Sequence, residues 1–244
     1  MPKVKLKVSI LSYTQNPLKV IYSAAKQCYS KLGAQDHHIK EMKKAKQEEF
    51  LTKLISSGHM SPLEHVSFTF AIEGISRACT HQLVRHRLAS FSQQSQRYVG
   101  KEEFDFIIPP SIEKDKTLKK IYIEYMNDVA SIYRKILDNL SGSFGFKEKA
   151  REDARFVLPN ACESKIAVTM NCRQLLHFFG QRCCERAQWE IRNLADEMLR
   201  LVKEVLPVVF SGVGAKCETL GYCPEGKFCC GKYPTKEKFF RKKA

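Results

Sequence analysis

Apolar residues recur every second position in some stretches and every third or fourth in others, and the switches between the two periods mark out the elements. Val4 to Leu11 alternates as a strand, continuing the pattern of Met1 to Lys7. Pro17 to Tyr29 carries a helical stripe with Pro17 in the first turn, where its missing N–H is harmless. A lysine-rich helix follows, with Phe50, Leu51, Leu54 and Ile55 on one side and Gly58 as its stop. From His65 to Gly74 the alternation is clearest. Val66, Phe68, Phe70 and Ile72 point one way while His65, Ser67, Thr69 and Ala71 point the other, so one face enters a core and the other is free for a ligand.

Ile75, Cys79 and Leu83 form one stripe of a helix expected over Ile75 to Arg87, which puts His81, Gln82 and Arg85 on one face. The short polar residues after Ala89 read as a loop. Ser111 to Leu140 predicts a long helix with Leu118, Tyr122, Tyr125, Val129, Ile132, Tyr133 and Ile136 near core spacing, ended by Ser141-Gly142-Ser143. A short helix over Lys147 to Arg155 stops before Pro159, and Lys165 to Met170 alternates as a strand. Asn171, with Gln174 three residues on, fits the start of a further helix. Arg173 and His177, four apart, share a face and can reach one partner. Arg186 to Leu206 carries a seam of Ile191, Leu194, Met198, Leu201 and Val205, with Trp189 and Leu194 as core or subunit contacts.

A chain of 244 residues can bury one sizeable core without a second domain. No apolar run approaches the roughly 18 residues a membrane span needs, and no leader opens the sequence, so the expected setting is cytoplasmic and the expected partners exclude membranes. The net charge of +15 favours anionic ligands, but much of the excess lies in lysine runs over 40–53, 114–120 and 232–243 that read as solvated faces. Ten cysteines without a leader read as reduced thiols, with Cys28, Cys79, Cys162 and Cys172 as packing residues. Cys217, Cys223, Cys229 and Cys230, in a Gly/Pro/Lys-rich segment, could bind zinc, but neighbouring Cys229 and Cys230 do not make the usual paired spacing, so no metal is expected. Gly221 to Lys227 copies the first positions of a phosphate loop, but Phe228 stands where the magnesium-holding hydroxyl would be. The stretch reads as a turn, and no Gly-x-Gly-x-x-Gly occurs.

The chemistry concentrates in Arg85 to Tyr98. These fourteen residues hold three arginines, one histidine, three serines, three glutamines and no acid. Guanidinium forks pair phosphate oxygens two at a time, and amides and hydroxyls can read a base edge, so the stretch suits a nucleotide. Ser95 could pair with His86, but no acid partner completes a triad. Cys183 and Cys184, although Arg182 beside them could lower a thiol pKa, read as a structural pair inside a helix. Arginine-rich and poor in acid or activated thiol, the site is built to bind and to stabilise charge, which leaves the hard chemistry to a cofactor.

Arg85-His86-Arg87, seven residues and then Ser95 resembles the signature of the flavin-dependent thymidylate synthases. Family-like stretches follow in order over about Val20 to Phe210: Ser61-Pro62-Leu63-Glu64-His65, Ala154 to Pro159, Asn171-Cys172-Arg173, and Arg182 followed by Ala187-Gln188-Trp189-Glu190-Ile191. The resemblance implies an α+β fold, a mixed but antiparallel-rich sheet packed with long helices, in a single catalytic domain over 1–216 ahead of a basic Cys-rich tail over 217–244. It implies methylation of dUMP to dTMP, with methylenetetrahydrofolate giving the carbon, FAD carrying hydride and NADPH reducing the flavin. It also implies homotetramers with active sites at subunit interfaces. By the same resemblance Gln82, Arg85, Gln93, Gln94, Ser95, Gln96, Arg97, Arg155 and Arg182 match positions around dUMP, with Arg182 and Ser95 nearest the chemistry. His65, Ser67, Arg85, His86, Arg87, Asn171, Arg173 and His177 match positions around FAD.

Several residues depart from the family pattern. Gln93 stands where many members have glutamate, Gln96 replaces a common glycine, His177 stands in place of asparagine, and Cys28 in place of a serine near the flavin. Two other functions compete with this one. A nucleic-acid-binding protein could use Phe91, Arg97 and Tyr98 as a stacking platform, but the arginines are spread over some 100 residues of core elements, so nucleic acid is not an expected partner. A flavoprotein reductase with another substrate would not need Arg97, Arg155 and Arg182 together.

Overall fold

The computed structural model describes residues 4–40 and 42–241. The strand pattern at Met1 to Lys3 and the last tail lysines, Lys242 and Lys243, lie outside the described residues. In chain order the elements are β1 (Lys7–Tyr13), α1 (Pro17–Gln27), α2 (Ala34–Ile39), α3 (Lys44–Ser56), β2 (Ser67–Ser76), α4 (Arg77–Leu83), β3 (Ala89–Gln93), α5 (Pro110–Lys114), α6 (Lys116–Phe144), α7 (Lys147–Ala154), β4 (Glu163–Asn171), α8 (Cys172–Arg182), α9 (Trp189–Val205), α10 (Pro207–Phe210), α11 (Lys216–Leu220) and α12 (Lys236–Arg241). The strands pair antiparallel in the order β1-β2-β4-β3, and the class is α+β as expected.

The chain folds as two compact units. One comprises Met1–Lys7, Ala71–Arg85 and Phe91–Ala167; the other comprises Val8–Phe70, His86–Ser90 and Val168–Ala244. In the first, Phe104, Phe106, Ile108 and Cys162 pack on Met126, Val129 and Ala130 of α6, while Tyr133 and Leu137 one and two turns on pack against Ala150 and Ala154 of α7. Gly74 has a left-handed φ of 71°, and a Cβ there would stand 2.0 Å from the Lys5 carbonyl, so only glycine fits. Its N–H donates to buried Glu163 at 3.1 Å.

In the second unit, Val66, Phe68 and Phe70 of the β2 segment are fully buried. The Phe68 ring stacks on Tyr13 at 5.7 Å and meets Phe210 of α10 edge-on at 6.2 Å, and Phe210 in turn meets Phe179 of α8 at 6.0 Å. Tyr22 of α1 packs edge-on against Phe50 of α3 at 5.2 Å.

Several expected boundaries move, each for a local reason. The first strand begins at Lys7 rather than Val4 and runs on to Tyr13. The helix expected over Ile75 to Arg87 is only Arg77–Leu83, because Ser76 caps it by accepting from the Cys79 N–H at 3.0 Å. Arg85, His86 and Arg87 follow the helix rather than sit on it. The polar run after Ala89 is a strand, not a loop, and its pairing continues to the Gln94 N–H, which donates to the Lys165 carbonyl at 2.9 Å.

His65 ends a 3-10 turn, Ser61–His65, instead of opening β2. The long helix is interrupted at Asp115, whose carboxylate accepts from the N–H groups of Thr117 and Leu118 and so starts α6 afresh. It ends past Ser141-Gly142-Ser143 at Gly145, in the left-handed conformation. Leu118, Tyr125 and Ile132, expected in the core, are exposed with Ile121 as an apolar stripe along α6. On α9 the buried seam runs through Val202, with Leu201 and Val205 only half-buried. Cys79, Cys162 and Cys172 are core residues as expected, whereas Cys28 is exposed.

Phe68 joins β1, β2 and α10, so Phe68→Ala should lower the unfolding free energy by roughly 3–5 kcal/mol. Urea titration of wild type and variant measures the difference; a loss under 1 kcal/mol would mean that the ring's neighbours do not depend on it.

Candidate functional site

The expected site residues fall into two constellations, one in each unit. In the first unit, Gln82 lies on α4 and is half-buried, and Arg85 is exposed in the turn behind it. Gln93 ends β3, and its amide Nε2 donates to Thr80 Oγ1 at 3.0 Å and to Ser164 Oγ at 2.7 Å. Both amide hydrogens are thereby used inside the protein. Gln94 accepts from the ammonium of buried Lys101 at 2.9 Å, and the Gln96 side chain hydrogen-bonds the Cys162 thiol.

Ser95 shapes the turn that follows. Its Oγ accepts from the Arg97 N–H at 3.2 Å and its carbonyl from the Val99 N–H at 3.1 Å. Arg97 Nη2 pairs with Glu152 Oε2 at 2.8 Å, and Arg155 Nε donates to the Glu152 carbonyl at 3.1 Å. Glu152 thus gathers two arginines that the sequence separates by 58 positions. It was missed because a lone glutamate on a charged helix carries no signal of its own. Arg97 and Glu152 are each about 43% exposed, so their pair adds little stability and the guanidinium remains available to a stronger anion.

In the second unit, Asn171 caps α8: its Oδ1 accepts from the Gln174 N–H at 2.8 Å, and this fixes the direction of the helix that carries Arg173, His177 and Arg182. Arg173 and His177 do not share a partner. Arg173 is ion-paired with Glu64, and Gln181 Nε2 donates to His177 Nε2 at 3.0 Å. Arg87 is exposed. The backbone N–H of Ser67 is held by Thr14 Oγ1 at 3.0 Å. His65 borders an open, mainly apolar cavity of about 480 Å³ walled by α1 and α2, through Val20, Ala24, Gln27, Ala34 and His38. A cavity of that kind suits a flat aromatic group.

His86 is the one member of the signature triplet that is buried, 6% exposed. Its ring lies edge-on to Phe178 at 4.9 Å, 6.2 Å from the His177 ring, and its Nε2 accepts from Arg182 Nε at 3.0 Å. Burial, with Arg182 and His177 beside it, pushes the imidazole from its ordinary 6.5 down to about 4.

Arg182 also borders a cavity of about 270 Å³ with Arg186, Lys216 and Glu225, walled on one side by Cys217 and Cys223 of the tail. Cys217 and Cys223 pack with Cys183, Cys184 and Cys229, so the cysteine-rich segment covers the end of α8. Among the described residues no three His, Cys, Asp or Glu side chains stand where they could hold a metal ion. No helix among them is long and apolar enough to cross a membrane. Gly221 is the left-handed cap of α11, as the turn reading of the phosphate-loop-like stretch requires.

The family model for thymidylate synthase complementing protein matches residues 9–208. The chain is 53% identical over 242 residues to the flavin-dependent thymidylate synthase of Nitratidesulfovibrio vulgaris, spanning 97% of this chain and 99% of that one. It is also 53% identical over 243 residues to the flavin-dependent thymidylate synthase of Clostridium tetani, spanning 96% and 97%. Its fold is similar to that of the UMP/dUMP methylase PolB of Streptomyces cacaoi, solved with 5-Br dUMP. The TM-score is 0.72 at 23% identity, over 86% of this chain and 94% of the other, a likeness that concerns the fold alone.

The depressed imidazole has a measurable consequence. Between about pH 4 and 6.5 the unfolded chain binds a proton at His86 that the folded chain refuses, so the stabilisation is complete above pH 6.5 and is lost as the pH falls to about 4. His86→Gln should remove that part of the acid sensitivity, on the order of 3 kcal/mol. Urea unfolding of both proteins at pH 7.5 and 4.5 tests it, and parallel losses in the two would refute it.

Proposed function

The chain belongs to the family of thymidylate synthase complementing proteins, the flavin-dependent thymidylate synthases, and from that premise we propose that it methylates dUMP to dTMP. Methylenetetrahydrofolate is the carbon donor in this reading, and NADPH reduces the FAD. The observation that carries it is the Arg85-His86-Arg87…Ser95 signature, standing in a chain matched to the family over residues 9–208. Residues 1–216 form the catalytic domain in this reading, 217–244 are an accessory tail, and the enzyme acts in the cytoplasm.

Arg97 and Arg155 hold the phosphate and uracil oxygens of dUMP. Arg97 exchanges its half-exposed Glu152 partner for the more highly charged phosphate. Gln82, Arg85 and Gln96 complete the polar lining, while Gln93 and Gln94 position it through Thr80, Ser164 and Lys101. Gln93 can stand in place of a glutamate because its role is to bind these hydroxyls. Ser95 accepts from Arg97 N–H and keeps its own O–H to donate to substrate, as a binding contact rather than a nucleophile in this reading.

Arg182 lies at the pyrimidine and stabilises the enolate charge that develops as C5 attacks the methylene carbon. His65, Ser67, Arg85, His86, Arg87, Asn171, Arg173 and His177 hold FAD. The apolar cavity beside His65 fits its flat ring system, and exposed Arg87 offers a donor to its phosphates. The flavin supplies the hydride chemistry when bound. The exposed stripe of Leu118, Ile121, Tyr125 and Ile132 on α6 supports assembly into a homotetramer, because an apolar row of that length is unfavourable in water.

Purified protein reconstituted with FAD should show flavin absorbance that bleaches with NADPH and should form dTMP from dUMP and methylenetetrahydrofolate. A chain that takes up no flavin refutes the proposal. Arg182→Ala should keep the flavin and lower turnover by roughly 100-fold or more; unchanged dTMP formation would remove Arg182 from the chemistry. Ile121→Asp combined with Tyr125→Asp should move the protein to smaller species in size-exclusion chromatography with light scattering, and an unaltered mass would place the interface elsewhere.

A further inference from the structure

We propose that the His86 side chain is the positioning residue for Arg182, holding its guanidinium so that the two Nη groups face the pyrimidine. The inference deepens the proposed function and rests on its placement of Arg182. Arginine has five N–H donors and no acceptor, so in the 3.0 Å contact between Arg182 Nε and His86 Nε2 the arginine donates. His86 Nε2 therefore carries a lone pair, and the ring is the neutral tautomer with its proton on Nδ1.

Phe178 and Arg182 are four residues apart on α8 and share one face. The His86 ring lies across that face, its plane nearly perpendicular to the Phe178 ring at 88° and its nitrogen on the guanidinium. An arginine side chain free in water samples many rotamers, and ordering it opposes binding. Tethered at Nε, Arg182 keeps its four Nη hydrogens for a ligand and loses most of its rotational freedom before the ligand arrives. Among the described residues no ion pair involves Arg182, and Glu225, which borders the same cavity, is paired with Arg186. A cationic imidazole could neither accept from Nε nor sit beside a guanidinium, and burial keeps His86 neutral.

A double-mutant cycle tests the assignment. His86→Leu removes the acceptor at similar size, His86→Gln supplies an acceptor oxygen, and Arg182→Ala removes the group being positioned. With FAD content checked by absorbance, His86→Leu should lower kcat/KM for dUMP by roughly 10- to 100-fold, and His86→Gln should recover most of it. Adding His86→Leu to Arg182→Ala should cause little further loss of kcat/KM per bound flavin, because at Arg182 the two changes remove one interaction. Multiplying losses, or a Gln variant as poor as the Leu variant with flavin retained, would overturn the proposal. If Arg182→Ala alone leaves turnover intact, it is the placement of Arg182 at the pyrimidine that fails. Should His86→Leu not fold, His86→Asn, polar but too short to reach Nε, takes its place in the cycle with the same expected outcomes.

Discussion

The alternation of side chains along β2 is the constraint on which the rest of the structure depends. Val66, Phe68, Phe70 and Ile72 occupy one face at no more than 1% exposure, and a slip of one residue in pairing would turn all four into water. Register is therefore settled by burial, and polar contacts on the other face follow from it. Thr69 and Thr169 meet across β2 and β4 at 2.9 Å only because both strands are held in that register. The Cys172 N–H donates to the Val66 carbonyl at 2.8 Å, which ties the first residue of α8 to the strand and so sets the helix that carries His177 and Arg182.

Much of the polar apparatus is satisfied by the protein itself. Gln93 is bound to Thr80 and Ser164, Gln94 to Lys101, Asn171 to the start of α8, Arg173 to Glu64 and Arg182 to His86. An amide or guanidinium that loses water without gaining a partner opposes folding, and these contacts supply such partners. The partner also removes rotational freedom from each side chain.

The cysteines follow a similar logic of burial. Burial pushes Cys162 up to about 11 and Cys172 up to about 12, so these thiols stay protonated and act as small apolar groups. Cys217 and Cys223 are nearly buried too, although their surroundings in the sequence are glycine, proline and lysine. They reach that state by folding over Cys183 and Cys184 at the end of α8, a pairing of segments some 34 residues apart that no local pattern announces.

What the sequence determined by itself is whatever depends on neighbours a few positions away. The period-2 run from Val66 to Ile72, the cap at Asn171, the proline that opens α1 and the apolar seam of α9 were all legible, because pleat and helix geometry fix which near residues share a face. The signature residues were legible as donors, since their types and spacing suit a nucleotide in any conformation. Only the tertiary structure decided which side chain each donor would meet. That Arg97 and Arg155 converge on Glu152, that Arg173 and His177 part company, that the run after Ala89 pairs as a strand, and that His86 alone of its triplet turns inward all depend on contacts between distant segments. A residue's local propensity is small beside the burial and hydrogen bonding that such contacts supply, so the long-range partner prevails wherever the two disagree.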